Sequence, residues 1–364
     1  MNERPPRRSV GPLQGAALLW LGLLVGFAVG IEWIRSRPQP PAPSGGIDLV
    51  GAGATFPYPL YRRWFADYGR ETGVRINYFS VGSAEGIRLL LDGSADFGAA
   101  DRPLTADERA RARCGPFEMP TVLGAVAVAY RLAGLTQPLR LDADVLHDIL
   151  AGRVRRWDDA ALRSLNPDAA LPALPIVVVR RARSTGTSAV FARYLASAAG
   201  AGGDVSLAAS GAQVEGNEGV TAAIAAQVGA MGVVEYTYAQ QARLAVAALR
   251  NGSGHFVLPS PAAITAAGAQ LLDAASIDTT LGAIGASGAD AYPVVGVTRI
   301  VVDAALGDTA RAAHFLAFAR WALADGATVA ADVGYAALPE AIADAQRRRL
   351  AALRPGRCPS PRAP

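Results

Sequence analysis

"PIVVVRRARSTGTSAVFARY" (175–194) passes from an apolar β-branched run through charge and hydroxyls into an amphipathic pattern. The run Ile176–Val179 has the composition of a buried strand, and the stretch from Ala189 that of a helix. Between them stand Arg180, Arg181 and Arg183, then Thr185, Gly186 and Thr187. A helix N-terminus carries partial positive charge and unpaired N–H groups. Arginine adds planar, two-pronged donation to an oxyanion. The junction reads either as an anion site or as a solvated arginine turn. It is not a nucleotide phosphate loop, because no Gly-Lys-Ser/Thr follows.

The pattern repeats outward from this stretch. "IDLVGAGATF", "VRINYFSVG", "ADFGAAD", "TVLGAVAVAY" and "GAMGVVEY" read as strands. "YPLYRRWFADYGRETG", "SAEGIRLLLDG", "GVTAAIAAQV" and "TARAAHFLAFARWALAD" read as helices. The alternation predicts an α/β architecture with mainly parallel sheets. Such sheets place ligands at the carboxyl ends of their strands. Three more strand ends carry suitable loops. In "GAGATFP" (51–57), Gly51 and Gly53 permit close backbone approach to a ligand, and Thr55 offers a hydroxyl. Phe56 stands where a dinucleotide fingerprint needs its third glycine. In "VGSAEG" (81–86), Ser83 occupies an expected N-cap position. In "DFGAADRPLT" (96–105), Asp101 follows a buried-looking strand. Each loop alone also fits an ordinary turn or cap.

At 364 residues and 51% apolar, the chain has material for one large or two ordinary domains. It contains no lysine, so all 35 basic residues are arginine, which reads as composition bias. The net charge of +4 comes from the two ends; the body between them holds 24 arginines against 29 acidic residues. A mildly acidic body argues against nucleic-acid binding. Residues 10–31 form an apolar run behind Arg4, Arg7 and Arg8. This predicts a signal/anchor segment (1–34) and export of the rest of the chain. The run has the length of an uncleaved spanning helix, and Ala28-Val29-Gly30 offers an alternative cleavage site. A stiff Pro-rich linker occupies 35–46. His147, His255 and His314 are scattered and the cysteines lack metal spacing, so no metal site or cofactor is expected.

Taken together, "GAGATFPYPLYRRWF", "VGSAEGI", "DFGAADRPL", "RRWDDAALRSLNP", "VVVRRARSTGTSAVFARYLA", "GNEGVTAAI" and "GAMGVVEYTYA" resemble the periplasmic phosphate-binding proteins of ABC-type phosphate importers. The resemblance runs from about Gly51 to Pro339. It implies a two-lobed, type II periplasmic binding protein that closes on a dehydrated anion. The expected lobes are 47–121 plus 291–346, and 122–290, with an Arg/Pro-rich tail over 347–364. The implied ligand set is Thr55, the Phe56 N–H, Ser83 and Asp101 from the first lobe. The second lobe supplies Arg181, Thr185, the Gly186 N–H and Thr187.

Asp101 has a physical role beside this. A carboxylate repels a fully ionised anion but accepts a hydrogen bond from one that keeps a proton, as phosphate does and sulfate does not. Two positions depart from the family pattern. Arg183 stands where an acidic residue usually pairs with the binding arginine, and Glu85 stands where glycine is usual. Either Glu85 and Arg183 form a swapped pair across the cleft, or both face solvent. The implied layout also returns the tail to the first lobe, which places Cys114 and Cys358 for a disulfide in an oxidising compartment. The expected activity is non-catalytic: phosphate receipt in the periplasm and delivery, as a monomer, to inner-membrane permease subunits with a cytoplasmic ATPase. The alternative is a membrane-tethered oxyanion sensor or scaffold with altered specificity. An enzyme is disfavoured, because no nucleophile–base pair or metal cluster lies in these loops.

Overall fold

The computed structural model describes residues 48–182, 186–198, 211–271, 282–304 and 309–354. The N-terminal apolar segment and Pro-rich linker, Arg183, Thr185 and Cys358 lie outside the described residues. Among the described residues no helix is long and apolar enough to cross a membrane.

The described chain opens with three parallel strands, β1 (Asp48–Gly53), β2 (Arg75–Ser80) and β3 (Phe97–Ala100). The helix Tyr58–Thr72 joins the first two, and Ser83–Leu91 the second and third. Next comes β4 (Pro116–Tyr130), buried at every position after Pro116. At about 3.3 Å per residue it reaches about 50 Å, enough to serve two neighbours in turn. Beyond it lie the short β5 (Arg140–Leu141) and a second parallel set, β6 (Val177–Arg181), β7 (Gly211–Val214) and β8 (Ala230–Glu235). The chain continues through β9 (Ala245–Val246), β10 (Ala248–Arg250), β11 (Phe256–Val257) and β12 (Gly282–Ile284). It returns through β13 (Val294–Asp303) and ends with β14 (Ala336–Ala337) and the helix Glu340–Ala352.

The main sheet has the order β2-β1-β3-β13-β4-β8-β6-β7, with β12 on β13 and β9 and β14 on β4. A separate small sheet joins β11, β10 and β5. The expectation of mainly parallel pairing holds on the flanks and fails in the centre. There β13 runs antiparallel to β3 and β4, and β4 antiparallel to β8. Apolar runs record burial and not strand direction, so the sequence pattern carries no signal for this centre.

Local chemistry explains the flanking elements. In the helix Tyr58–Thr72 the aromatic stripe that helical spacing gives, Tyr61, Trp64, Phe65 and Tyr68, is buried except for the half-buried Phe65, and Gly73 closes the helix at φ 77°. Trp64 Nε1 donates to the Gly326 carbonyl at 2.7 Å. Phe318, on the helix Thr309–Ala322, meets the Phe65 ring at 5.5 Å and the Phe97 ring at 6.4 Å. These contacts bind the returning C-terminal segment to the first three strands. Gly51 and Gly53 prove to serve packing between elements. A Cβ at Gly51 would enter the Phe97 ring, and one at Gly53, whose φ is 148°, would lie 2.2 Å from the Ala99 carbonyl. Close passage of β1 along β3 is what demands glycine here.

The consequence for function lies at the strand ends. Thr55, Ser83 and Asp101 follow the carboxyl ends of β1, β2 and β3. Arg181 ends β6, Asn217 follows β7 and Glu235 ends β8.

Candidate functional site

Thr55 is the point where the two parallel sets meet. It is buried, and its Oγ1 accepts from Arg181 Nη2 at 3.2 Å and from Asn217 Nδ2 at 3.2 Å. Its carbonyl accepts from the Tyr238 hydroxyl at 2.6 Å. A hydroxyl has two acceptor positions and one proton. With both acceptor positions taken, Thr55 has its proton left to donate.

Arg181 also reaches Thr187, donating from Nη1 to Oγ1 at 3.4 Å. Thr187 is the second residue of the helix Gly186–Ala198 and is buried. That helix start lies directly on Asp101: a Cβ at Gly186 would fall 2.1 Å from the Asp101 Cβ. No residue but glycine fits between the helix N-terminus and this carboxyl group. The sequence pattern suggests Ser83 as an N-cap, but Gly82 holds that position and Ser83 is the first helical residue. Its Oγ instead accepts from the Asp101 backbone N–H at 3.3 Å. This leaves a second hydroxyl proton beside Asp101.

Asp101 is buried, and its Oδ1 accepts from the Thr298 hydroxyl at 2.9 Å. Burial pushes its carboxyl up to about 7, against the pull of Thr298, Arg181, Arg299 and Arg102. Burial lowers the Arg181 guanidinium from its usual value, with Asp101 opposing the shift. Phe56 is buried next to Thr55, its carbonyl accepting from the Tyr335 hydroxyl at 2.7 Å. The arrangement is a ring of donors around one carboxyl group. It suits an oxyanion that is rich in acceptors and supplies one proton of its own.

Of the residues singled out from the sequence, the structure brings together Thr55, Phe56, Ser83, Asp101, Arg181, Gly186 and Thr187. Arg183 and Thr185 belong to the same junction in sequence but lie outside the described residues. Glu85 is partly exposed and held by both Arg88 Nε and Nη2, at 2.9 and 2.6 Å. Cys114 is disulfide-bonded, and Cys358 lies outside the described residues. Among the described residues no His/Cys/Asp/Glu group could hold a metal ion.

Sequence reasoning missed Asn217, Tyr238, Thr298, Glu235 and Tyr335. Asn217 is fully buried and crosses from the second parallel set to Thr55. Its place in "GNEG", just after a strand and at a helix start, was the available signal. Tyr238 and Glu235 lie in "VVEYTYA", which reads simply as the end of a strand.

Residues 39–325 match the PBP superfamily domain. The phosphate-binding protein PstS of Xylella fastidiosa (strain Temecula1) is 33% identical over 322 residues, covering 86% of this chain and 88% of the relative. That of Pasteurella multocida is 32% identical over 302 residues, covering 81% and 87%. The fold is similar to that of a putative phosphate ABC transporter substrate-binding protein from Clostridium perfringens, solved with bound phosphate. The TM-score is 0.60 at 16% identity, covering 80% of this chain and 100% of the other. The chain belongs to the PstS family of phosphate-binding proteins, within the PBP superfamily.

Proposed function

We propose that this chain binds inorganic phosphate outside the cytoplasm and delivers it to an ABC-type permease, as a binding protein and not an enzyme. The observation that carries this reading is Asp101, a buried carboxyl group set among the donors of Arg181, Thr55, Ser83 and Thr187. Phosphate offers acceptors to the donors and a proton to the carboxylate. The names of the relatives support the same ligand.

In this reading the protein has two lobes, 47–121 with 291–346 and 122–290; β4 carries the first crossing between them, and the chain returns just ahead of β13. Thr55, the Phe56 N–H, Ser83 and Asp101 hold the anion from one lobe. Arg181, Thr185, the Gly186 N–H and Thr187 hold it from the other. Cys358 is the partner of Cys114 and staples the tail without crossing the cleft. The apolar segment 1–34 tethers the monomer to the inner membrane, and the Pro-rich linker leaves it free to dock on the permease subunits and their cytoplasmic ATPase. Calorimetric titration of the purified protein with phosphate tests the reading. One-to-one binding is expected, and no heat from phosphate at millimolar concentration would end it.

A further inference from the structure

Glu235, Tyr335 and Phe56 form a buried chain of polar atoms behind the anion site, with Glu235 and Tyr335 fully buried and Phe56 nearly so. The Tyr335 hydroxyl oxygen lies 2.7 Å from the Phe56 carbonyl oxygen and 3.0 Å from Glu235 Oε2. Both are hydrogen-bond distances, and the phenol owns one proton. The Phe56 carbonyl can only accept, so the tyrosine proton goes there. The contact with Glu235 Oε2 then needs a proton from the carboxyl group. The Thr237 hydroxyl beside them cannot supply it, because it donates to the Val333 carbonyl at 3.0 Å. Glu235 Oε1 is already occupied, accepting the Thr237 N–H at 3.0 Å.

We infer that Glu235 is a positioning residue: held as the neutral acid, it donates to Tyr335, which donates to the Phe56 carbonyl and fixes the Phe56–Pro57 peptide, and through it the Phe56 backbone whose N–H meets the anion. The inference rests on the phosphate reading above. The net effect of burial on Glu235 has the same sign. Burial pushes the Glu235 carboxyl up to about 8, against the hydrogen bonds of Thr237, Tyr335 and the Tyr238 backbone, so the neutral acid predominates near pH 7. The titratable groups facing it are Tyr335, Tyr236 and Tyr238, all raised chiefly by burial and so uncharged in this range. Tyr238 in turn faces Glu218 and Arg181. The backbone N–H of Glu235 donates to Asn217 Oδ1 at 3.2 Å, which ties this chain to the donor on Thr55.

The test compares phosphate affinity of the full chain with Glu235→Gln, Glu235→Leu and Tyr335→Phe, across about pH 6 to 9.5. The glutamine amide can donate to Tyr335 and accept from Thr237, so Glu235→Gln should bind within about twofold of wild type at pH 7. Glu235→Leu and Tyr335→Phe should each weaken binding by about tenfold, the worth of one buried hydrogen bond. The affinity of wild type relative to Glu235→Gln should be constant below about pH 7.5 and fall as Glu235 loses its proton above about 8. This ratio cancels the titrations of phosphate and Asp101, which both proteins share. If wild type binds and Arg181→Ala does not, the phosphate reading stands. A glutamine variant as weak as the leucine variant, or a ratio flat to about pH 9.5, then overturns the role of Glu235 alone. If wild type itself fails to bind phosphate, both readings fall. Should Glu235→Leu not fold, Glu235→Gln and the pH ratio still decide the matter.

Discussion

Asp101 at the end of β3 and Glu235 at the end of β8 are both buried carboxyl groups, and burial pushes them up to about 7 and about 8. Their surroundings differ. Both oxygens of Glu235 are engaged by the chain itself, through the Thr237 N–H and Tyr335. Asp101 has one oxygen engaged, by Thr298, and has Arg181 and a helix N-terminus beside it. A buried polar group left short of partners is costly, so a fold retains one where a ligand completes it. The comparison separates a carboxyl group that shapes the site from one that meets what enters it.

Arg181→Ala should break the Asp101 side of this comparison most severely. Phosphate affinity should fall by about a hundredfold or more, because a desolvated anion loses its two-pronged partner. Calorimetry reads this directly, and binding within about threefold of wild type would show the anion is held elsewhere. Asp101→Asn should change selectivity more than affinity. The amide can donate where the carboxylate only accepts, so the preference for phosphate over sulfate should shrink by about a hundredfold. Competition between the two anions measures it.

Asn217→Ala sharpens the link between the two regions, since Asn217 touches both Thr55 and the Glu235 backbone. Losing both bonds should weaken phosphate by about tenfold and leave the preference over sulfate unchanged. The smallest effect is expected from Glu85 and Arg183. Glu85 is partly exposed, and an ion pair at such a site is screened by solvent, so a charge-reversal cycle with Arg183 should show coupling of no more than about fivefold in phosphate affinity. Larger coupling would establish the swapped pair.

Much of the molecule is legible in the sequence where the physics is local. The β-branched run before Arg181, the helix after Gly186 and the aromatic stripe of Tyr61, Trp64, Phe65 and Tyr68 all follow from periodicity. Thr55, Ser83, Asp101 and the arginine cluster at 180–183 stand out because strand ends and helix starts have known chemistry, and the family resemblance is what selects Arg181 among the three. Direction is not legible. β4 begins at Pro116, in "PFEMP", where Glu118 and two prolines hide a strand that neighbouring strands make continuous. Gly51 and Gly53 suggest close approach to a ligand, but what they admit is β3. The missed residues depend on contacts between distant parts of the chain. Tyr335 meets Phe56 across 279 positions and Glu235 across 100, and no window of sequence contains both ends.

The central claim is that the anion must bring the proton that Asp101 accepts. Titration of wild-type protein with phosphate and with sulfate at about pH 8.5, above the Asp101 value of about 7, tests it most directly. The account predicts one-to-one binding of phosphate and no measurable binding of sulfate at that pH, with sulfate binding emerging only as the solution is acidified through about 7 and Asp101 takes up its own proton. Sulfate binding at pH 8.5 within about tenfold of phosphate would contradict it.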